Sequence, residues 1–232
     1  MTEPMQPTRR QALISLALLL PVPSLGVLAG TTWWPGTPLG QALFVAAKVW
    51  VFALPLVWHL FVERQRVSLS PLRAGGLRVA LTTGALIGLV VVGGYVAFGR
   101  ALIPADALRE TVRKFGLDSP LRFFAGAAYW IGVNSLLEEY VWRWFVVQQA
   151  ARLAGTRAAI ALSALGFAAH HVLIMRLYFS PPLVVLAGLA IAFAGGLWSW
   201  MYARYRSVWP GYLSHALVDL AVFAVGYALL FG

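Results

Sequence analysis

The 232-residue chain contains no cysteine, and only eight of its residues are Asp or Glu. Without thiols it can form no disulfide framework, no cysteine nucleophile and no cysteine-ligated metal site. Charged residues make up 11% of the sequence, whereas a soluble domain has roughly 25%. The low charge excludes an ordinary water-soluble globular protein.

Apolar residues take the place of the missing charge. They make up 60% of the sequence, and the mean hydropathy is +0.77, which predicts an integral membrane protein. The net charge of +10 comes from Lys and Arg residues that lie mostly in short loops between apolar runs. Such placement indicates membrane topology and contact with anionic lipid, and it argues against a nucleic-acid partner.

The predicted fold is all-α, a polytopic bundle of about seven transmembrane helices. A span needs about 20 mostly apolar residues to cross the hydrocarbon. The stretches that meet this requirement are residues 11–29, 39–62, 78–98, 123–147, 158–178, 182–202 and 210–231. The first resembles a signal peptide because Arg9 and Arg10 precede it, and Pro21 and Pro23 interrupt it. We expect a retained helix, because no small-residue cleavage site is evident.

The distribution of positive charge predicts the orientation. If the N-terminus is cytoplasmic, ten Lys and Arg residues fall on the inner side and six on the outer side, as the positive-inside rule favours. Residues 104–117 carry apolar side chains at helical spacing between charges, which predicts a short amphipathic helix in the outer interface. We therefore expect a multi-pass protein of a prokaryotic plasma membrane.

Polar residues inside the predicted spans are few, and each is a functional candidate. An ionised side chain at the bilayer centre costs about 2.5–3.5 kcal/mol even on the mildest scale. The residues are Lys48, His59, Asn134, Glu138, Glu139, Arg143, His170, His171, His215 and Asp219. His59 is expected at the interface, His170 is expected to pack or to hydrogen-bond, and Lys48 either snorkels or binds a substrate carboxylate.

Helical spacing assigns partners to several of these residues. Glu139 and Arg143 are four apart, in the order that favours an ion pair, and we expect them to be structural. Glu138 points about 100° away from that pair, toward the face of Asn134. Counted from the predicted span ends, the side chains of three different helices reach a common level in the inner half of the membrane, namely those of Glu138, His171, His215 and Asp219.

A carboxylate and an imidazole in a dry cavity can hold a water and deprotonate it. A second imidazole can donate a hydrogen bond to the oxyanion of a tetrahedral intermediate. No serine or cysteine is placed as a nucleophile, so the residues favour attack by an activated water on an amide. A peptide bond of a membrane-associated substrate is the natural target.

The motifs Glu-Glu-x-x-x-Arg from Glu138, Phe-x-x-x-His from Phe167 and His-x-x-x-Asp from His215 follow one another on separate apolar segments. This order resembles the CPBP family, the CAAX protease and bacteriocin-processing (ABI) group of glutamic-type intramembrane proteases. The resemblance covers residues from about 123 to 231. We therefore divide one integrated domain into N-terminal helices at 1–120, with the interfacial helix, and a catalytic core at 121–232.

The resemblance implies roles for the individual residues. Glu138 and His171 would activate the water, His215 and Asp219 would face the oxyanion, and Glu139 and Arg143 would support them. Phe167, Asn134 and His170 are further candidates for supporting residues. Position 219 departs from the best-understood members, which have Asn there. An ionised Asp cannot donate a hydrogen bond, so Asp219 must be protonated or must orient His215.

Three alternatives stay open at the level of sequence. A Zn²⁺ site could use Glu138, His171, His215 and Asp219, although the family is regarded as independent of metal and we expect no cofactor. A proton-coupled transporter would use the same polar residues as a relay. A non-catalytic, immunity-type membrane protein is the third alternative. The substrate class also stays open among prenylated proteins, leader peptides and C-terminally tagged proteins.

Overall fold

In a computed structural model, the described residues are 7–66, 70–71, 75–99, 103, 109–110 and 118–232, and within these ranges the chain is all-helical. The helices are α1 (Arg9–Trp33), α2 (Pro38–Val62), α3 (Leu77–Gly99), a long helical stretch at Pro120–Met175, α6 (Pro181–Tyr205) and α7 (Trp209–Phe231). All six are long and apolar enough to cross a membrane. The predicted interfacial helix at residues 104–117 falls almost wholly outside the described residues.

The 56-residue stretch Pro120–Met175 is two helices joined by a sharp break. Gly155 has φ 77° and ψ 172°, a conformation that is essentially restricted to glycine. The chain turns back at this break. A contact between the two arms shows this, because the Ser163 hydroxyl donates to the Trp142 carbonyl at 2.9 Å. We call residues 120–154 α4 and residues 156–175 α5. The predicted all-α fold class is thus confirmed among the described residues, and the six membrane-length segments, one of them broken at Gly155, roughly match the predicted number of spans.

Local sequence signals explain where several helices begin. Thr8 caps α1 in a capping box with Gln11, and Thr37 caps α2. Ser119 caps α4. Proline follows directly after the last two caps, where its missing N–H costs no hydrogen bond. Within α1, the predicted interruption is present as a turn at residues 20–21.

Small residues allow the helices to approach one another. On α3, a Cβ at Gly84 would lie 2.9 Å from the Leu217 side chain and from the Ser214 carbonyl oxygen of α7. On α6, a Cβ at Gly188 would lie 2.7 Å from Val172 of α5. Close helix contacts of this kind are typical of membrane bundles. The outward faces carry large apolar side chains that are well exposed, such as Val90 at 74%, as expected for contact with lipid.

Helix α4 changes its winding around the two glutamates. Ser135–Glu139 is a single α-helical stretch between wider π-helical stretches at Tyr129–Asn134 and Tyr140–Val147. The Ser135 hydroxyl accordingly lies 2.9 Å from the carbonyl of Trp130, five residues earlier. Stretches of π-helix occur frequently at functional sites because they re-aim the side chains of one turn.

Candidate active site

Glu138 and Glu139 are neighbours in sequence but lie in different surroundings. The side chain of Glu139 is fully buried, whereas that of Glu138 is 16% exposed. The Oε1 atom of Glu139 lies 3.4 Å from Nε of Arg143, so the predicted ion pair is present. The same Oε1 atom also accepts a hydrogen bond of 3.1 Å from Nδ1 of His215, a contact that helical spacing did not predict.

The backbone of α7 comes very close to Glu139, because a Cβ on Gly211 would overlap Oε2 of that carboxylate. A glycine at this position therefore lets α7 present His215 to α4. The close approach fixes the Glu139 carboxylate between α4 and α7.

Arg143 is fully buried and is held mainly by aromatic faces. Its guanidinium lies 4.6 Å from the ring centre of Phe167 and 5.1 Å from that of Trp198. Among the described residues, no group accepts a well-aligned hydrogen bond from its three nitrogens. Cation–π contacts are strongest where water is absent, so the two rings stabilise this buried charge. Phe167 also lies 4.6 Å from the His171 ring, which places it between the ion pair and the catalytic candidates.

His215 is buried at the meeting point of three carboxylates. Its ring stacks on Trp198 at 4.0 Å between centroids. While Nδ1 contacts Glu139, Nε2 lies 3.7 Å from Oε2 of Glu138 and 3.7 Å from Oδ2 of Asp219. When Nδ1 donates to Glu139, Nε2 donates as well only in the imidazolium form.

Asp219 is bound by a serine that the sequence did not single out. The hydroxyl of Ser135 lies 2.6 Å from Oδ2 of Asp219, and it also lies within hydrogen-bond distance of the Trp130 carbonyl. The hydroxyl has only one proton, so it can donate to only one of these two oxygens. Whether the side chain at position 219 accepts that proton or donates to the hydroxyl therefore depends on the Trp130 carbonyl. Asp219 is thereby fixed beside His215.

A cavity of about 240 Å³ lies on the other side of Glu138. It is bounded by α1, α2, α4 and α5, and its wall includes Lys48, Asn134, Glu138, His170 and His171. His215 and Asp219 are not among the lining residues. Glu138 therefore separates the cavity from the buried His215 cluster and contacts both.

In both histidines of α5, Nδ1 lies near the backbone carbonyl of the residue four positions earlier. Nδ1 of His171 donates to the Phe167 carbonyl at 2.8 Å, which leaves Nε2 as an acceptor. Nδ1 of His170 lies 3.4 Å from the Gly166 carbonyl, and the ring stacks on Trp142. One polar atom from each of Glu138, His170 and His171 lies within 4.8 Å of the others.

All nine site residues named from the sequence lie in this region. Helices α4, α5 and α7 bring Glu138, His171, His215 and Asp219 together, as the predicted common level required. His170 does more than pack, because it shares the cavity wall with Glu138. Asn134 also faces the cavity and is 4% exposed, and its buried Oδ1 has no partner among the described residues.

Sequence reasoning missed Ser135 and Trp198 as contacts of the site. Ser135 lies four residues before Glu139, but a serine in a membrane helix commonly bonds its own backbone, so its presence gave little signal. Trp198 looked like one more tryptophan near a span end. Only the crossing of α6 over α7 places its ring on His215.

No curated protein and no solved structure matches the chain. Residues 120–221 match the family model described as Type II CAAX prenyl endopeptidase Rce1-like. The matched segment contains the three motifs and the helices that bring their residues together. The chain is therefore a multi-pass membrane protein with an Rce1-like domain at residues 120–221, which is consistent with the CPBP family and indicates a CAAX-type intramembrane endopeptidase.

Proposed function

We propose that the protein is a glutamic-type intramembrane endopeptidase in which Glu138 and His171 activate the attacking water. The observation that carries this proposal is that both side chains lie on the wall of one cavity, with their polar atoms within 4.8 Å. Nε2 of His171 is left as an acceptor by its Nδ1 hydrogen bond. A water between Nε2 and the Glu138 carboxylate would have an acceptor on each side.

The chemical step follows from these acceptors. Glu138 takes a proton from the water while the oxygen attacks the peptide carbonyl, and the same proton then passes to the leaving amine. This is general base and then general acid catalysis by one carboxylate. Asn134, whose amide interacts with the carboxylate, keeps Glu138 oriented toward the cavity.

His215 is the candidate donor to the oxyanion. Its Nδ1 contact with Glu139 and its stacking on Trp198 fix the ring, and Nε2 points toward the catalytic carboxylate. An imidazolium Nε2–H beside Glu138 would stabilise the negative charge that develops on the carbonyl oxygen. In this arrangement Asp219 orients His215, and Glu139 with Arg143 supports both.

The substrate in this proposal is a membrane-associated or C-terminally tagged protein. Apolar side chains of α1 and α2 line the cavity opposite Glu138, so an extended apolar segment entering from the bilayer meets a compatible surface. We place the enzyme in a prokaryotic plasma membrane with its N-terminus inside. The charge bias supports that orientation, and Arg9 binds the Leu153 carbonyl at the same end of the bundle.

A metal-dependent protease is the second candidate, and one observation favours it. The polar atoms of Glu138, His170 and His171 are close enough together to bind one cation. This set differs from the one considered from the sequence, since His170 takes the place of His215 and Asp219. Activity retained in excess chelator would exclude this candidate, and activity restored by added Zn²⁺ would support it.

Substitution of Glu138 tests the main proposal. Purified protein in nanodiscs would be incubated with a farnesylated CAAX peptide and with a pool of peptides that have apolar C-termini, and products would be quantified by mass spectrometry. Glu138→Gln is expected to lower cleavage by about 10²–10⁴-fold, because it removes the general base and keeps the side-chain shape. His171→Gln should lower it by a comparable factor.

Arg78→Gln is the control, since Arg78 is exposed at the start of α3 and away from the cavity. Unchanged cleavage in the Glu138→Gln protein would overturn the proposed function.

A further inference from the structure

Lys48 is a cationic residue in the middle of α2, and the proposed mechanism does not use it. It lies ten residues after Pro38 in α2, about 15 Å along the helix axis, which is half the thickness of the hydrocarbon core. From that depth a lysine stem does not bring its ammonium to the headgroups. A cation in the middle of a span needs a compensating role, because its burial is costly.

The side chain of Lys48 faces the cavity instead of lipid. Phe44 and Phe52 lie four residues before and after Lys48, and all three line the cavity. Val45 and Val49, on the other side of α2, are 58% and 61% exposed. The ammonium of Lys48 is therefore presented to whatever occupies the cavity.

The ammonium of Lys48 lies over an aromatic ring. Its Nζ lies 5.3 Å from the ring centre of Trp130, and no carboxylate of the described residues lies within ion-pair distance of it. The indole face holds the ammonium in place without neutralising it. An ammonium has three donors, so the site offers hydrogen bonds and a charge to an incoming anion.

Resting on the proposed function, we propose that Lys48 binds the free α-carboxylate of the substrate and so restricts cleavage to the C-terminal end of the chain. Apart from Lys48 and the polar side chains of α4 and α5, the cavity wall is apolar and aromatic, which suits the side chains of an apolar C-terminal segment. A carboxylate is the anion that every such segment carries at its end. Lys48 lies outside the matched segment at residues 120–221, so the N-terminal helices would supply this part of the specificity.

The geometry also limits the length of the released fragment. Trp130, under the ammonium of Lys48, and Glu138 lie eight residues apart on α4, no more than about 12 Å along the axis. Extended chain covers about 3.3 Å per residue. A substrate whose carboxylate is at Lys48 would therefore place at Glu138 a peptide bond about two to four residues from its end.

Paired peptides test the assignment. A farnesylated CAAX peptide and a pool of peptides with apolar C-termini would each be made with a free carboxylate and as the C-terminal amide. Binding to the Glu138→Gln protein in nanodiscs would be measured by retention and mass spectrometry. We expect the free acids to bind about tenfold to a hundredfold more tightly than the amides, as for a charge-assisted hydrogen bond.

Substitution of Lys48 in the same background removes that preference if the proposal holds. Lys48→Gln should bind acids and amides alike, and Lys48→Arg should keep part of the preference because it keeps the charge. Arg78→Gln is the matched control and should keep the full preference. The assignment would be overturned if the Glu138→Gln protein with Lys48 unchanged retained acids and amides equally, or retained neither.

Cleavage by the protein with Glu138 intact separates this inference from the proposed function. Cleavage that requires Glu138 but is equally fast for acids and amides refutes the role of Lys48 and leaves the proposed function standing. An equal loss of cleavage of both peptide forms on Lys48→Gln would also refute it, because it would show that Lys48 acts on Glu138 and not on the substrate. Cleavage that does not require Glu138 refutes the proposed function itself.

Discussion

At the residue scale, Glu138 and Glu139 show that two adjacent positions of one helix have different surroundings. Both are carboxylates, yet Glu139 contacts Arg143 and His215 while Glu138 lines the cavity. A fully buried carboxylate needs such partners, because removing one partner of a buried pair leaves an uncompensated charge. Glu138 is more exposed and is therefore available for chemistry.

Substitution of Glu139 should affect folding more than it affects any single catalytic step. Glu139→Ala is expected to lower the free energy of unfolding by about 3–5 kcal/mol, because Arg143 would stay buried without its counter-charge. Denaturation in mixed micelles, followed by tryptophan fluorescence, would measure the change. Glu138→Ala serves as the comparison and should cost less, and an equal cost for both would contradict this division of roles.

Position 219 should tolerate asparagine if the contact with Ser135 governs it. An Asn at 219 can donate its amide to the Ser135 hydroxyl, which leaves the hydroxyl proton for the Trp130 carbonyl. We expect Asp219→Asn to keep the rate of peptide cleavage within about tenfold of the original.

Asp219→Ala should lower kcat by about tenfold or more with little change in KM, since it releases His215 on one side. Ser135→Ala should have a large effect only while Asp219 is present, which a double-mutant cycle would measure. Additive effects of the two substitutions would show that the contact is unimportant for the reaction.

At the element scale, glycines decide where helices approach and where the chain turns. Gly155 ends α4 and begins α5 in a backbone conformation that other residues rarely adopt. The resulting antiparallel pair puts Glu138 and His171 at one level, because the two residues are nearly equidistant in sequence from the reversal. The hairpin therefore brings together the two residues that we propose to activate water.

The contact between α3 and α7 depends on Gly84. Gly84→Ala is expected to destabilise the protein by about 1–3 kcal/mol, because the added methyl group meets Leu217 and the Ser214 carbonyl. Gly93→Ala on the same helix is the matched control, since a Cβ there meets nothing within 4 Å. Thermal denaturation of both variants in nanodiscs would compare them. Similar losses at the two positions would argue against tight packing of α3 on α7.

At the scale of the whole molecule, a second polar cluster joins the end of α2 to the C-terminal part of α4. Glu63, at the end of α2, is 4% exposed and accepts hydrogen bonds from Gln149 at 2.7 Å and Arg152 at 2.5 Å. Nδ1 of His59 lies 3.5 Å from Oε2 of the same carboxylate, which is within ion-pair distance. His59 is therefore part of a buried network as well as being near a span end.

Loss of this cluster should loosen the junction without touching the chemistry. Glu63→Ala is expected to cost about 1–3 kcal/mol, because Gln149 and Arg152 would lose their shared acceptor and Arg152 is only partly exposed. Stability would be measured by thermal denaturation. Cleavage would be measured on the same preparation below the melting temperature. A large fall in cleavage by protein that is still folded would show that the cluster is coupled to the active site.

Residue type and spacing were enough to predict much of this structure. Hydropathy predicted the spans because the hydrocarbon core requires long apolar helices, and the i,i+4 rule predicted the pair of Glu139 and Arg143. The three motifs indicated the family. The contacts of His215 with Glu139, and of Ser135 with Asp219, were not predictable in this way, since their residues lie 76 and 84 positions apart.

The sequence by itself determined that this is a helical membrane protein with carboxylates and imidazoles placed in three of its spans, because burial in lipid restricts composition and periodicity so strongly. Only the tertiary structure decided which of those groups meet. Helix crossing angles and close approaches at glycines turned Glu139 toward His215 and placed Glu138 on the wall of a cavity. They also placed Lys48, from the N-terminal half of the chain, on the wall of that cavity. Those outcomes depend on how side chains of distant segments pack, which no local pattern encodes.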